Sequence, residues 1–129
     1  MTFDDWQVTV PAGIREDALW RMEVYRQALF VADLSWHDSA RLAEQKRFGL
    51  ADQLHRATGS VSANIAEGHS RSSMKDQCRF YEYANGSARE SRDWYFKSRH
   101  ALGESVVSHR IELLTSVIRQ LTAIVRRTK

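Results

Sequence analysis

The sequence predicts an all-α fold, an antiparallel up-down four-helix bundle. Three observations carry that expectation. Proline occurs once in 129 residues, at Pro11, so the strongest helix breaker is absent from Ala12 to Lys129. Apolar residues recur at alternating spacings of three and four over four long stretches, as on the buried stripe of a helix. Short polar or glycine-containing breaks separate the stretches, and helices joined by short turns pack by default as antiparallel neighbours. A chain of this length is expected to form one domain with a modest core.

Residues 1–14 stand apart as an N-terminal arm. Trp6, Val8 and Val10 alternate before Pro11-Ala12-Gly13, which suggests an extended arm or edge strand. The first helix is predicted over about 15–36 and carries two apolar faces. Ala18, Met22, Tyr25, Leu29, Ala32 and Trp36 form one; Trp20, Val24, Ala28 and Val31 form the other. His37-Asp38-Ser39 reads as a polar break, with Asp38 or Ser39 capping the next helix. The second helix, about 41–67, has Leu50, Leu54, Ala57, Val61, Ile65 and Gly68 on its seam. Gly49 and Gly59 inside it each cost about 1 kcal/mol against Ala, so close packing opposite them is expected. The third, about 74–102 and ending at Gly103, has a seam of small and aromatic residues: Phe80, Ala84, Ser87, Ala88, Ser91, Trp94, Tyr95, Ser98 and Leu102. The fourth, about 106–127, has the cleanest heptad, Val107, Ile111, Leu114, Ile118, Leu121 and Val125. Val106, Leu113, Val117 and Ile124 widen its apolar arc beyond what one seam needs, so self-association is expected, with a fatter internal core as the alternative.

The single cysteine, Cys78, excludes an internal disulfide and fits a reducing compartment. The N-terminus lacks the basic and apolar segments of a signal peptide, and no run approaches the roughly 18 apolar residues of a membrane span, so a cytoplasmic protein is expected. The net charge of +3 hides an asymmetry. Residues 1–70 hold seven Lys/Arg and ten Asp/Glu, whereas residues 71–129 hold twelve and six. A basic second half suits a polyanionic partner.

The segment Ser60–Arg89 reads as a helix end, a tight turn and a new helix. Gly68 sits where a left-handed C-terminal residue would fall, and Ser73-x-x-Asp76 has the capping-box pattern. Ser60, Asn64-Ile65-Ala66-Glu67-Gly68, Arg71, Ser73, Lys75, Arg79-Phe80, Ala84, Gly86-Ser87 and Glu90, with Val24–Ala28 and Phe48–Leu54 upstream, form a distinctive set. On these residues the chain resembles the bacterial four-helix-bundle proteins of 23S ribosomal RNA intervening sequences, also termed ribosomal protein-like. The resemblance extends from about Leu19 to the C-terminus. Ser62 stands where the family usually has proline and Ser70 where it has glycine, so a straighter second helix is expected. The resemblance implies a bundle assembling as a ring-like homopentamer, without established catalysis. A more distant similarity is to the accessory protein of diversity-generating retroelements, whose basic pentamer contacts a reverse transcriptase and nucleic acid.

Asn64 and Glu67, with Gln53, Arg56 and Ser60, form a polar stripe beside the second seam. It could be a recognition groove; a buried hydrogen-bond network tying the hairpin or a neighbouring subunit is the stronger reading. Lys75, Arg79, Arg89 and Lys97 share roughly 80° of the third helix, but Glu82, Glu90 and Asp93 share it too. A salt-bridged face with Arg89–Asp93–Lys97 pairs is therefore favoured there. Arg92 and Arg99 border the seam without acids three or four residues downstream, and are better candidates for an interface. Arg119, Arg126, Arg127 and Lys129 make the last helix basic at its end. The candidate nucleic-acid or partner contacts are thus Arg71, Lys75, Arg79, Arg92, Arg99, Arg119 and Arg126.

Catalysis has little support. His37, His55, His69, His100 and His109 lack the spacing of helical zinc sites, and Asp52-x-x-His55 has no matching pair for a di-iron centre. Cys78 lies in a first helical turn, without a recognisable base nearby in sequence. No metal or cofactor is expected. The expected function is a non-catalytic oligomer binding RNA, DNA or a nucleic-acid-associated protein; the alternative is a purely structural or protein-adaptor oligomer.

Overall fold

In the computed structural model, which describes Met1–Lys129, every regular element is helical. Two short helices, α1 (Phe3–Gln7) and α2 (Ala12–Arg15), and a 3-10 turn (Ala18–Arg21) precede the long α3 (Glu23–Glu44). Then come α4 (Phe48–His69), α5 (Met74–Lys97), the single turn α6 (Arg99–Leu102) and α7 (Glu104–Thr128). The four long helices pack in a closed cycle, α3 on α4, α4 on α5, α5 on α7 and α7 on α3.

Their apolar stripes meet in one core. Val24, Ala28, Val31 and Leu42 face Leu54, Val61 and Ile65, then Ala84, Ala88 and Tyr95, then Leu114, Val117 and Leu121. The expected seams of α4, α5 and α7 are therefore the observed ones. On α3 the second expected face is the core face, while Trp36 from the first is 64 % exposed. Hydroxyl and amide pairs fix the register between neighbours. Ser35 and Thr58 Oγ atoms lie 2.6 Å apart across α3–α4, and those of Ser60 and Ser87 2.7 Å apart across α4–α5. Across α7–α3, Gln120 Nε2 and Ser116 Oγ donate to Gln27 Oε1 at 2.8 and 3.0 Å.

The arm is not a strand. Trp6 of α1 and Val10 in the turn that follows it are buried against Phe30, whereas Val8 is exposed. Thr2 caps α1, and Trp6 Nε1 donates to Asp33 Oδ2 at 2.7 Å. Leu29 and Leu113 pack on the same cluster. Leu113 of α7 and Leu29 and Phe30 of α3 are thus covered by the chain's own N-terminus.

The first turn lies elsewhere than expected. α3 begins at Glu23 rather than near 15 and runs unbroken through His37-Asp38-Ser39. Asp, Ser and His cost only tenths of a kcal/mol in a helix, and Asp38 has buried partners there. The chain reverses at Gln45–Arg47. Lys46 takes φ 62°, its N–H donates to Ala43 O at 2.9 Å, and Arg47 N–H donates to Leu42 O at 2.9 Å. That is a Schellman termination with lysine in the position glycine usually fills.

Gly68 also differs from expectation. It lies inside α4 rather than in a left-handed cap. A Cβ there would sit 2.8 Å from Tyr81 Cε1 and 3.2 Å from Phe80 Cβ, so glycine permits close approach of α4 to α5. Gly49 and Gly59 face open space, and no close packing explains them. Ser73 does cap α5, its Oγ accepting from Asp76 N–H at 3.2 Å. Gly103, with φ 89°, separates α6 from α7.

Candidate nucleic-acid interface

A groove runs along the junction of α5 and α7. Lys75, Cys78, Arg79, Glu82, Thr128 and Lys129 line one end. Glu82, Asn85, Gly86, Arg89, Thr122, Val125, Arg126 and Lys129 line the continuation. Spacings of three and four place Lys75, Arg79, Glu82, Gly86 and Arg89 along one side of α5. The same rule places Thr122, Arg126 and Lys129 along the facing edge of α7. Two side-chain bonds hold the helices in register: Asn85 Nδ2 to Thr122 Oγ1 at 3.3 Å and Arg92 Nη1 to Thr115 Oγ1 at 3.2 Å.

The charges do not cancel. Five cations line the groove against one carboxylate, Glu82, which pairs with Lys129 at 3.6 Å and accepts from the Cys78 thiol at 3.3 Å. Arg79 pairs with Asp76 at 3.4 Å. Lys75, Arg89 and Arg126 have no carboxylate within ion-pair distance. The expected ladder on α5 forms only in part, as Asp93 pairs with Lys97 at 2.7 Å and leaves Arg89 out.

Of the sequence-predicted contacts, Lys75, Arg79 and Arg126 line this groove. Arg92 lies one turn beyond Arg89, and exposed Arg119 continues the α7 edge three residues before Thr122. Arg99 lies farther along, its guanidinium 3.9 Å from the Phe96 ring centroid. Arg71 is not in the groove lining but adjoins its Arg79 end: both guanidinium groups stack on Phe80, at 4.7 and 4.9 Å, and Arg71 pairs with Glu67 at 3.3 Å beside the α4–α5 turn. The groove adds Arg89 and Lys129, which the sequence places on a salt-bridged face and at a helix end.

The signature residues serve local structure. Asn64 Nδ2 donates to Ser60 O of its own helix at 2.8 Å, and Glu90 Oε1 accepts from Trp94 Nε1 at 3.2 Å. Ser87 bonds Ser60, and Gly86 opens on the groove. Glu67 is exposed and pairs only within its turn, so Asn64 and Glu67 are not the centre of a buried network.

The buried polar centre is instead Asp38, a residue the sequence places in a helix break. Tyr95 Oη donates to Asp38 Oδ2 at 2.7 Å, and Arg110 Nε and Nη2 donate to Oδ2 and Oδ1 at 2.8 and 3.1 Å. Burial, reinforced by the Asp38 charge, pushes the Tyr95 phenol well above its ordinary pKa. Burial opposes the Arg110 charge, but the Asp38 hydrogen bonds and charge outweigh it and raise its pKa. The trio locks α3, α5 and α7 together and lines neither the α5–α7 groove nor the clefts beside the arm and between α3 and α4. No group of three or more His, Cys, Asp or Glu side chains converges to hold a metal ion. No helix is long and apolar enough to cross a membrane.

The sequence pattern of the 23S rRNA-intervening sequence proteins matches residues 21–123. The chain belongs to that family. The architecture agrees with a crystal structure of a protein with unknown function from the S23 ribosomal protein family of Bacteroides thetaiotaomicron. The TM-score is 0.75 at 23 % identity, over 79 % of this chain and 97 % of that one. No curated protein matches by sequence. In this member of the 23S rRNA-intervening sequence proteins, the arm precedes the matched region, and Arg126 and Lys129 lie beyond its end.

Proposed function

We propose that this chain is a non-catalytic, self-assembling module that binds nucleic acid along the α5–α7 groove. The observation that carries the reading is the imbalance of Lys75, Arg79, Arg89, Arg126 and Lys129 against Glu82 alone. Phosphates release counterions when such cations neutralise them, and this term supplies most sequence-independent affinity. Assembly as a ring-like homopentamer, suggested by the family resemblance, would repeat the groove and raise affinity through multivalency. The test is a titration of single- and double-stranded RNA and DNA at several salt concentrations, on a sample whose mass in solution is measured alongside. Five phosphate contacts give a log–log salt slope of about −3.5 for a single strand. No binding at low salt defeats the reading.

The second reading is a protein-adaptor oligomer, favoured by an apolar groove between α3 and α4. Trp36 and Phe48, each 64 % exposed, flank Ala40, Ala43 and Ala51 there. On that reading Trp36→Ser or Phe48→Ser disrupts assembly, while reversing the α5–α7 charges changes nothing.

A further inference from the structure

Phe96 lies at the far end of the α5 stripe that borders the basic groove. Asn85, Arg89, Arg92 and Phe96 are spaced at intervals of four, three and four, so all fall within about 60° of arc. Asn85 and Arg92 both bond α7, which shows that this stripe faces the α5–α7 junction. Phe96 is nonetheless 51 % exposed. Its ring is fixed by Arg99, whose guanidinium lies over it at 3.9 Å and also donates to Phe96 O at 3.0 Å. Arg89 and Phe96 are separated by about 10 Å along the axis.

From this arrangement we infer that the groove takes single-stranded rather than duplex nucleic acid, with an unpaired base stacking on Phe96. The inference rests on the nucleic-acid reading of the groove. A duplex offers this surface phosphates, while its bases stay in the stack. A single strand offers phosphates to Arg89 and Arg126 and a free π-face to the ring. Arg99 covers part of the ring with a cation at 3.9 Å while half of Phe96 stays exposed, which leaves surface for a base to stack on.

The experiment compares the full chain with its Phe96→Leu variant on a fluorescent 12-nucleotide RNA, single-stranded and as a duplex, across a salt series. Leucine keeps an apolar, helix-compatible side chain and removes the π-face. Single-strand affinity is expected to fall about tenfold, with duplex binding changed less than twofold and the salt slope unaltered. Unchanged single-strand binding, or equal losses for both forms, overturns the stacking platform while leaving the basic groove standing. Failure of the unsubstituted chain to bind either form at low salt overturns both.

Discussion

Asp38 shows how one residue can hold three helices and yet look like a helix break in sequence. It accepts from Tyr95 and twice from Arg110, with its side chain 3 % exposed. Removing one partner of a buried ion pair strands the other, so Asp38→Ala should cost about 3–5 kcal/mol in denaturant unfolding. Replacing the trio together, as Asp38→Leu, Tyr95→Phe and Arg110→Met, should recover most of that loss, because an apolar set of similar volume leaves no stranded charge. The raised Tyr95 pKa sets a pH dependence. Above about pH 10 the unfolded phenol loses its proton while the native one keeps it. Stability is then fully present below that pH and declines as pH rises beyond it. Tyr95→Phe should flatten the decline that begins near pH 10. The two glycine classes are also separable. Gly59→Ala, in an open helical position, should add about 0.5–1 kcal/mol. Gly68→Ala must push the Tyr81 ring aside and should be destabilising.

At the scale of elements, the sequence disclosed stripes better than ends. The seams of α4, α5 and α7 were legible because each repeats its apolar spacing over several turns, and Ser73 and Gly103 punctuate as their chemistry requires. The α3–α4 turn was not, because its left-handed residue is Lys46 rather than glycine, while His37-Asp38-Ser39 imitates a cap. Lys46→Gly should therefore stabilise by about 1 kcal/mol in thermal or denaturant unfolding, by relieving the left-handed strain. The arm misled for another reason. Its helix, Phe3–Gln7, is too short to leave a helical period, and Trp6, Val8 and Val10 imitate a strand although Val10 lies in the turn after the helix. Trp6→Ala should uncover Phe30 and Leu113 and cost about 3 kcal/mol, with increased association seen by light scattering.

For the molecule as a whole, the relevant quantity is where charge remains after local pairing. Sequence alone showed a basic second half and seven candidate cations, but not which would share a surface. α5 and α7 bring Lys75, Arg79 and Arg126 together with Arg89 and Lys129, while Arg71 stays outside the groove lining, next to Arg79 on the shared Phe80 ring. That selection depends on the α5–α7 register, set by Asn85–Thr122 and Arg92–Thr115, pairs 37 and 23 residues apart that no periodicity announces. The most direct test compares single-stranded RNA binding by the full chain and its Arg89→Glu/Arg126→Glu variant over a salt series. Both side chains are exposed, so the fold should be unchanged by circular dichroism. The groove account predicts at least a tenfold loss of affinity and a salt slope shallower by about 1.4, because two phosphates are no longer neutralised. Equal affinity and equal slope for the two proteins would contradict it.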